Sequence, residues 1–204
     1  MQPSARDPEG MQSVYEVWVS LLQGAFDSRH RRLHLAKDFN IALVRVDSRL
    51  VHGQILEAWV PHVRAKCIIV VDNKVAGDSF FETIIRMAVP SEIEVIISSV
   101  DDFVKNYNFT HGDGKKTIVL FSNIADACDA FNQGFHFDKL NIGNIYNNEY
   151  KICCSPSVFL CDKEIKCIKN LMEDPRVVVE LKGIPKGKTI NIKETLKDCW
   201  NTKP

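Results

Sequence analysis

Arg45-Val46-Asp47-Ser48-Arg49-Leu50-Val51-His52-Gly53-Gln54 is the stretch on which the reading of the chain turns. Before it, residues 41–44 form an apolar run of the kind that makes a buried strand. After it, Ile55, Leu56, Trp59, Val60 and Val63 recur at the spacing of one helix side. His52 therefore sits where a strand turns into a helix. In an open α/β sheet that is the carboxyl edge, where ligands collect, and the free N–H groups of the helix start favour an anion. Arg45 and Arg49 offer planar, charge-assisted donors to phosphate oxygens, and Asp47 can orient an arginine or close the turn. Gly53 lets backbone approach a bulky group. A lone histidine at a helix start is usually an N-terminal or surface residue; it is the arginines and the aspartate around His52 that point to a histidine carrying a phosphoryl group.

Outward from this stretch the pattern repeats. Strands are expected at residues 40–46, 67–71, 94–98, 117–121 and 140–143, with helices at 53–63, 78–87, near 100–104 and at 123–131. The run Cys67 to Val71 is continuously apolar, as in a central parallel strand covered on both faces. Pro61 is expected to bend or end the first helix, and Pro90 to close the second. A helix starting at Asp162, a strand at 176–182 and a candidate antiparallel edge strand at 189–192 follow. Residues 144–150 read as a polar surface loop, and residues 111–114 as a turn. The fold class is thus α/β, a doubly wound, mostly parallel open sheet with helices on both faces.

The chain has 204 residues, room for one domain of ordinary size, and its 26 basic side chains balance 26 acidic ones. Nothing in that balance calls for nucleic acid or an anionic membrane, and no run is long enough to span a bilayer. Seven cysteines, an odd number without a CxxC pair, read as buried thiols of a reducing cytoplasm, not as a disulfide framework or a zinc site. Cys153 and Cys154, as strand neighbours, should point to opposite faces. Residues 1–38 differ from the rest. A polar start precedes a short amphipathic pattern (Val14, Val17, Trp18, Leu21, Leu22, Ala25, Phe26) and a basic cluster from Arg29 to His34. They read as an N-terminal extension, or as a start placed too far upstream, ahead of a domain over residues 39–204.

R-V-D-S-R-L-V-H-G-Q closely resembles the phosphorylation-site motif R-[IV]-D-x-R-[LI]-[IV]-H-G-Q of component IIB in the mannose/fructose/sorbose family of the bacterial sugar phosphotransferase system. The resemblance extends from about residue 40 to residue 192, through Ile68 to Val71, Ala76-Gly77-Asp78, Pro90, Leu120-Phe121 and Asn141-Ile142-Gly143. It implies that His52 accepts a phosphoryl group through its δ nitrogen from a phosphohistidine on a IIA protein and passes it to a sugar held by membrane components IIC and IID. Arg45, Asp47, Arg49, Gly53 and Gln54 would shape the loop, the protein would work in the cytoplasm beside its membrane transporter, and two copies would form a homodimer. Asn73 stands where the family often has an acidic residue, and Asn144 replaces the second glycine of a frequent pair.

A phosphohistidine relay needs no metal and no cofactor. No G-x-x-x-x-G-K-[ST] and no G-x-G-x-x-G after the first strand is present, so the phosphoryl donor should be a protein. His62, His111 and His136 read as surface or satisfied residues. Asp72 and Asp78 are secondary candidates, because the loop they bound would lie beside the histidine loop if the first two strands are neighbours; their alternative roles are a strand end and a helix cap. Two functions remain in view: a phosphocarrier for sugar uptake, and a regulatory or interaction protein that uses the same phosphohistidine domain without transporting sugar.

Overall fold

The computed structural model describes residues 40–106, 115–146 and 152–196. The expected N-terminal helix, the turn at 111–114, most of the polar loop at 144–150 and Cys199 lie outside them. Nine strands are found among the described residues: β1 (Asn40–Asp47), β2 (Cys67–Val71), β3 (Glu94–Ser98), β4 (Lys116–Phe121), β5 (Lys139–Asn144), β6 (Ile152–Ser155), β7 (Val158–Leu160), β8 (Val178–Leu181) and β9 (Ile190–Asn191). Seven form one sheet in the order β3-β2-β4-β1-β5-β8-β9, and β6 and β7 pair as a separate hairpin. All pairs of the large sheet are parallel except β8 with β9, which is antiparallel at the edge. Both the doubly wound sheet and its antiparallel edge strand agree with the pattern of the sequence.

One expectation fails. β1 and β2 are not neighbours, because β4 returns to pair with both. Connections leave β1 toward β2 and β5 toward β8, so the chain winds away in opposite directions from the β1/β5 pair. Such a switch point opens a crevice beyond the carboxyl ends of the two strands. The histidine loop hangs over that crevice.

Two apolar layers hold the sheet. Successive strand side chains point to opposite faces, so Cys67, Ile69 and Val71 of β2 join one layer while Ile68 and Val70 join the other. The first layer packs against α3 (Val100–Asn106), α4 (Ile124–Asn132), α5 (Asp162–Leu171) and α6 (Ile192–Thr195). The second packs against α1 (residues 54–63), which follows the histidine loop, and α2 (Ser79–Ala88). α1 is unusual. Its first part, Gln54–Trp59, is π-wound and only Val60–Val63 is α-helical; π segments in helices are rare and are frequent at functional sites. Pro61 therefore lies inside the final turn instead of ending a regular helix, and Arg64, left-handed at φ 58°, ends it.

Local chemistry accounts for the other ends. Asp78 accepts hydrogen bonds from the N–H groups of Phe80 and Phe81 and so caps α2, and Asn123 caps α4 through Asp126 N–H. Asn73 reaches across to accept from Val100 N–H at the start of α3. The β6–β7 hairpin was not legible, because its Pro156-Ser157 link lacks the Asn-Gly or Asp-Gly signature of a tight hairpin. Within it Cys153 is exposed and Cys154 buried, as strand alternation requires. The outer side of α2 exposes Phe80, Phe81, Ile84 and Met87.

Candidate functional site

β1 delivers the site residues in alternation. Val44 and Val46 enter the layer under α3 to α6, so Arg45 must point to the α1 side. There it is fully buried, an arrangement tolerated when the charge is paired and most of its donors find acceptors. Nη2 donates to Asp47 Oδ2 at 2.9 Å and to the Gly183 carbonyl at 3.1 Å. Nη1 donates to the Lys182 carbonyl at 2.8 Å and to Asn141 Oδ1. The guanidinium lies 5.1 Å from the centroid of the Trp59 ring, in cation–π range, and Trp59 Nε1 donates to the same Gly183 carbonyl at 3.0 Å. Of the guanidinium nitrogens only Nε is buried without a partner.

Gly143 explains how so large a side chain fits. A Cβ at that position would stand 1.6 Å from Arg45 Nη2, so only glycine leaves the guanidinium its place. Asp47 is the hub. Its Oδ1 accepts from Arg49 N–H at 3.2 Å and from Arg49 Nε at 3.1 Å, and Oδ2 accepts from Arg49 Nη2 at 3.2 Å as well as from Arg45. His52 Nε2 lies 3.1 Å from that same Oδ2. Burial alone would push the Asp47 carboxyl up, but the Arg49 hydrogen bond, the Arg45 charge and the His52 contact outweigh it and hold it below the ordinary carboxylate range. For Arg45, burial dominates and lowers the guanidinium from its ordinary value.

These contacts fix the imidazole. An ionised carboxylate has no proton to give, so Nε2 carries the hydrogen that faces Asp47. Gln54 N–H points at Nδ1 over 3.3 Å, and a donor there requires a lone pair on Nδ1. Both constraints select one tautomer, with Nδ1 as the nucleophilic nitrogen. Gln54 Oε1 also accepts from Arg49 Nη2 at 3.0 Å, tying the helix start to the loop. Two arginines against one aspartate leave the loop with an excess positive charge, and the Arg49 side chain, 44 % exposed, presents part of it to an arriving anion. A side chain at Gly53 would meet only Glu57 Oε1 at 3.9 Å, so the approach beside it is open.

The loop is braced at both sides. Leu50 adopts a left-handed φ of 52°, which costs a non-glycine residue about 1–2 kcal/mol. Its side chain is buried in the layer beneath α1, and burying a leucine contributes about 1.5–3 kcal/mol, enough to offset the strain. On the other side, Ser48 N–H and Oγ donate to the backbone and side-chain oxygens of Asn144, at 3.0 and 2.8 Å. Asn144, where the family pattern has glycine, is thus a clamp between β5 and the histidine loop.

All six residues of the quoted stretch singled out as a site, Arg45, Asp47, Arg49, His52, Gly53 and Gln54, meet at one place. Asp72 and Asp78 do not join them. With β4 between β1 and β2, Asp72 instead accepts from the N–H groups of Lys74 and Val75 and from Ser122 Oγ, and Asp78 caps α2. His62 stacks edge-on against Trp59 and His136 against Phe131; neither has a contact to His52 or Asp47 among those found. Sequence reasoning missed the roles of Trp59, Asn141 and Gly143. A polar Asn141 between Leu140 and Ile142 at the centre of a strand was the available signal. Among the described residues, no helix is long and apolar enough to cross a membrane.

The profile of one protein family, the PTS system sorbose subfamily IIB component, matches residues 41–203. The chain is 30 % identical over 146 residues to the fructose-specific EIIB component of Bacillus subtilis, an alignment covering 72 % of this chain and 89 % of that one. It is 28 % identical over 131 residues to the mannose-specific EIIAB component of Escherichia coli, covering 64 % of this chain and 41 % of that longer one. The crystal structure of the IIBSor domain of the sorbose permease from Klebsiella pneumoniae superposes with a TM-score of 0.71 at 26 % identity, covering 78 % of this chain and 97 % of that one.

Proposed function

The chain belongs to the sorbose subfamily of IIB components of the sugar phosphotransferase system, and on that premise we propose that it is a phosphocarrier whose His52 accepts a phosphoryl group from a IIA protein and hands it to a sugar taken up through membrane components IIC and IID. The observation that carries the proposal is the fixed imidazole: Nε2–H on Asp47 at 3.1 Å and a lone pair on Nδ1, met only by the long 3.3 Å contact from Gln54 N–H.

In the transfer, the Nδ1 lone pair attacks phosphorus as the bond from phosphorus to the donor histidine breaks, and that bonding pair returns to the donor nitrogen. The ring then carries both the phosphoryl group and the Nε2 proton, and so a positive charge. Asp47 stabilises that charge, and the retained proton keeps the imidazole a good leaving group for the second transfer. Arg49 and the Gln54 N–H supply donors to the phosphoryl oxygens, which spread the developing charge. No nucleotide or metal is required, because the phosphoryl group arrives already activated on nitrogen.

The name of the Escherichia coli relative, EIIAB, describes a chain in which a IIA part accompanies the IIB part, which supports IIA as the donor here. The phosphocarrier domain spans residues 39–204, working in the cytoplasm at the membrane transporter, with residues 1–38 as an added segment. The exposed stripe Phe80, Phe81, Ile84 and Met87 on α2 supports contact with another protein, the expected second copy included. The alternative, a regulatory or interaction protein with the same phosphohistidine domain, is motivated by the N-terminal segment and the altered loops; of the latter, Asn73 and Asn144 make structural hydrogen bonds that leave the histidine loop whole.

The test is the intact mass of wild type and His52→Ala after incubation with phosphoenolpyruvate, the general phosphotransferase proteins and a IIA of this family. An acid-labile gain of one phosphoryl group in wild type alone is expected. No gain beside a IIA that is itself phosphorylated would overturn the proposal.

A further inference from the structure

A polar row crosses three adjacent strands on the α1 side of the sheet. Arg45 of β1 stands in register with Asn141 of β5, and Asn141 stands in register with Glu180 of β8. Their strand neighbours Val44, Val46, Leu140, Ile142, Val179 and Leu181 all enter the opposite apolar layer, so the three polar side chains share one face. All three are buried. Asn141 Oδ1 accepts from Arg45 Nη1, and Asn141 Nδ2 donates to Glu180 Oε1 at 3.1 Å. Glu180 Oε2 in turn lies 2.7 Å from Lys139 Nζ. With the Arg45–Asp47 and Asp47–His52 contacts, an unbroken path runs from Lys139 at the surface to the imidazole.

The order of donors in this path is not free. An ionised Glu180 can only accept, so the Asn141 amide must turn its NH2 to Glu180 and its oxygen to Arg45. Donating to a carboxylate polarises the amide and makes its oxygen a stronger acceptor. Arg45 needs that acceptor. Its other partners away from Asp47 are neutral carbonyls of Lys182 and Gly183, and in a buried setting a guanidinium with a missing partner would turn to find another. Any such turn pulls on Asp47 Oδ2, the atom that orients His52.

We propose that Asn141 and Glu180 are positioning residues for phosphoryl transfer: through Arg45 and Asp47 they hold His52 in the orientation and tautomer that keep the proton on Nε2 and the lone pair on Nδ1. The inference rests on the phosphocarrier reading for its link to rate, but its claim about the imidazole stands without it.

The experiment combines two measurements on wild type, Asn141→Leu, Glu180→Leu and Glu180→Gln. The imidazole 15N shifts of unphosphorylated protein report the tautomer and need no donor. Single-turnover phosphorylation by phosphorylated IIA reports the rate. Wild type should show Nε2–H alone. The two leucine variants should show mixed tautomers and a rate lower by about 10- to 100-fold, the scale of a misplacement of about 1 Å. Glu180→Gln, which retains an oxygen for Asn141, should recover most of that loss. Should Asn141→Leu fail to fold, the contrast of Glu180→Leu with Glu180→Gln decides. Leucine variants with wild-type 15N shifts would overturn the inference, whether their rate is normal or falls only in step with a lower melting temperature. Wild type with the expected shifts but no phosphorylation would instead count against the phosphocarrier reading.

Discussion

His52 Nε2 lies 3.1 Å from Asp47 Oδ2, and that same oxygen takes a hydrogen bond from the buried Arg45 at 2.9 Å. One atom thereby joins the reacting ring to a charge sealed in the sheet. The arrangement divides the labour: Asp47 orients and compensates, Arg45 fixes Asp47, and Nδ1 is left for the phosphoryl group.

Asp47→Asn keeps the shape of the side chain but reverses its logic. The amide can offer an N–H to Nε2, which moves the ring proton to Nδ1 and blocks the nucleophile, and it removes the charge that stabilises the phosphorylated ring. Phosphorylation by IIA should fall by about 100-fold or more, measured in a single turnover. The substitution also leaves Arg45 buried without its counter-charge, at a cost of about 3–5 kcal/mol in folding stability.

That stability has a definite pH dependence. The Asp47 carboxyl is held below its ordinary value in the folded protein, so the unfolded chain binds its proton first as pH falls. The contribution is complete above the unfolded carboxylate range of about 3.9 and is lost as pH drops through the lower folded value. Urea unfolding of wild type and Asp47→Asn should therefore show the largest difference at neutral pH and a shrinking one below about pH 4.

Gly143→Ala tests the packing of Arg45. The new methyl would occupy the place of the guanidinium, and strands β1 and β5 are paired and cannot part. Arg45 must leave its partners, which predicts a loss of at least about 3 kcal/mol of stability and loss of phosphorylation. An unaltered denaturation midpoint would contradict the placement of Arg45.

A separate prediction concerns Cys128 of α4 and Cys167 of α5. Hydrogen bonding from the Cys128 thiol lowers Cys167, against burial that pushes it up, while Cys128 itself is raised by the same pairing. Cys167 is the less buried of the two. Labelling of Cys167 by iodoacetamide should set in at lower pH than for an ordinary thiol, because the thiolate is the reactive form. Cys128→Ala removes the donor and should move that onset upward.

The sequence stretch around His52 was legible because strand, loop and helix start are local, and a motif of contiguous residues carries its own geometry. The alternation of apolar runs gave the layered sheet for the same reason. Strand order was not legible: nothing in β4 announces that it inserts between β1 and β2, and the secondary role expected for Asp72 and Asp78 depended on that adjacency. Asn141 and Gly143 touch Arg45 only through pairing of strands 96 residues apart, as in the Arg45–Asn141 bond, so their function appears only once the register is known. The π-wound start of α1 was likewise hidden, since its apolar spacing suits an ordinary helix.

The most direct test of the account is a 31P–15N correlation spectrum of the protein labelled at histidine and phosphorylated by IIA. A single phosphorus coupled to Nδ1 of His52, with Nε2 still protonated, is the expected result. Phosphorus coupled to Nε2, or carried by any other residue, would contradict it.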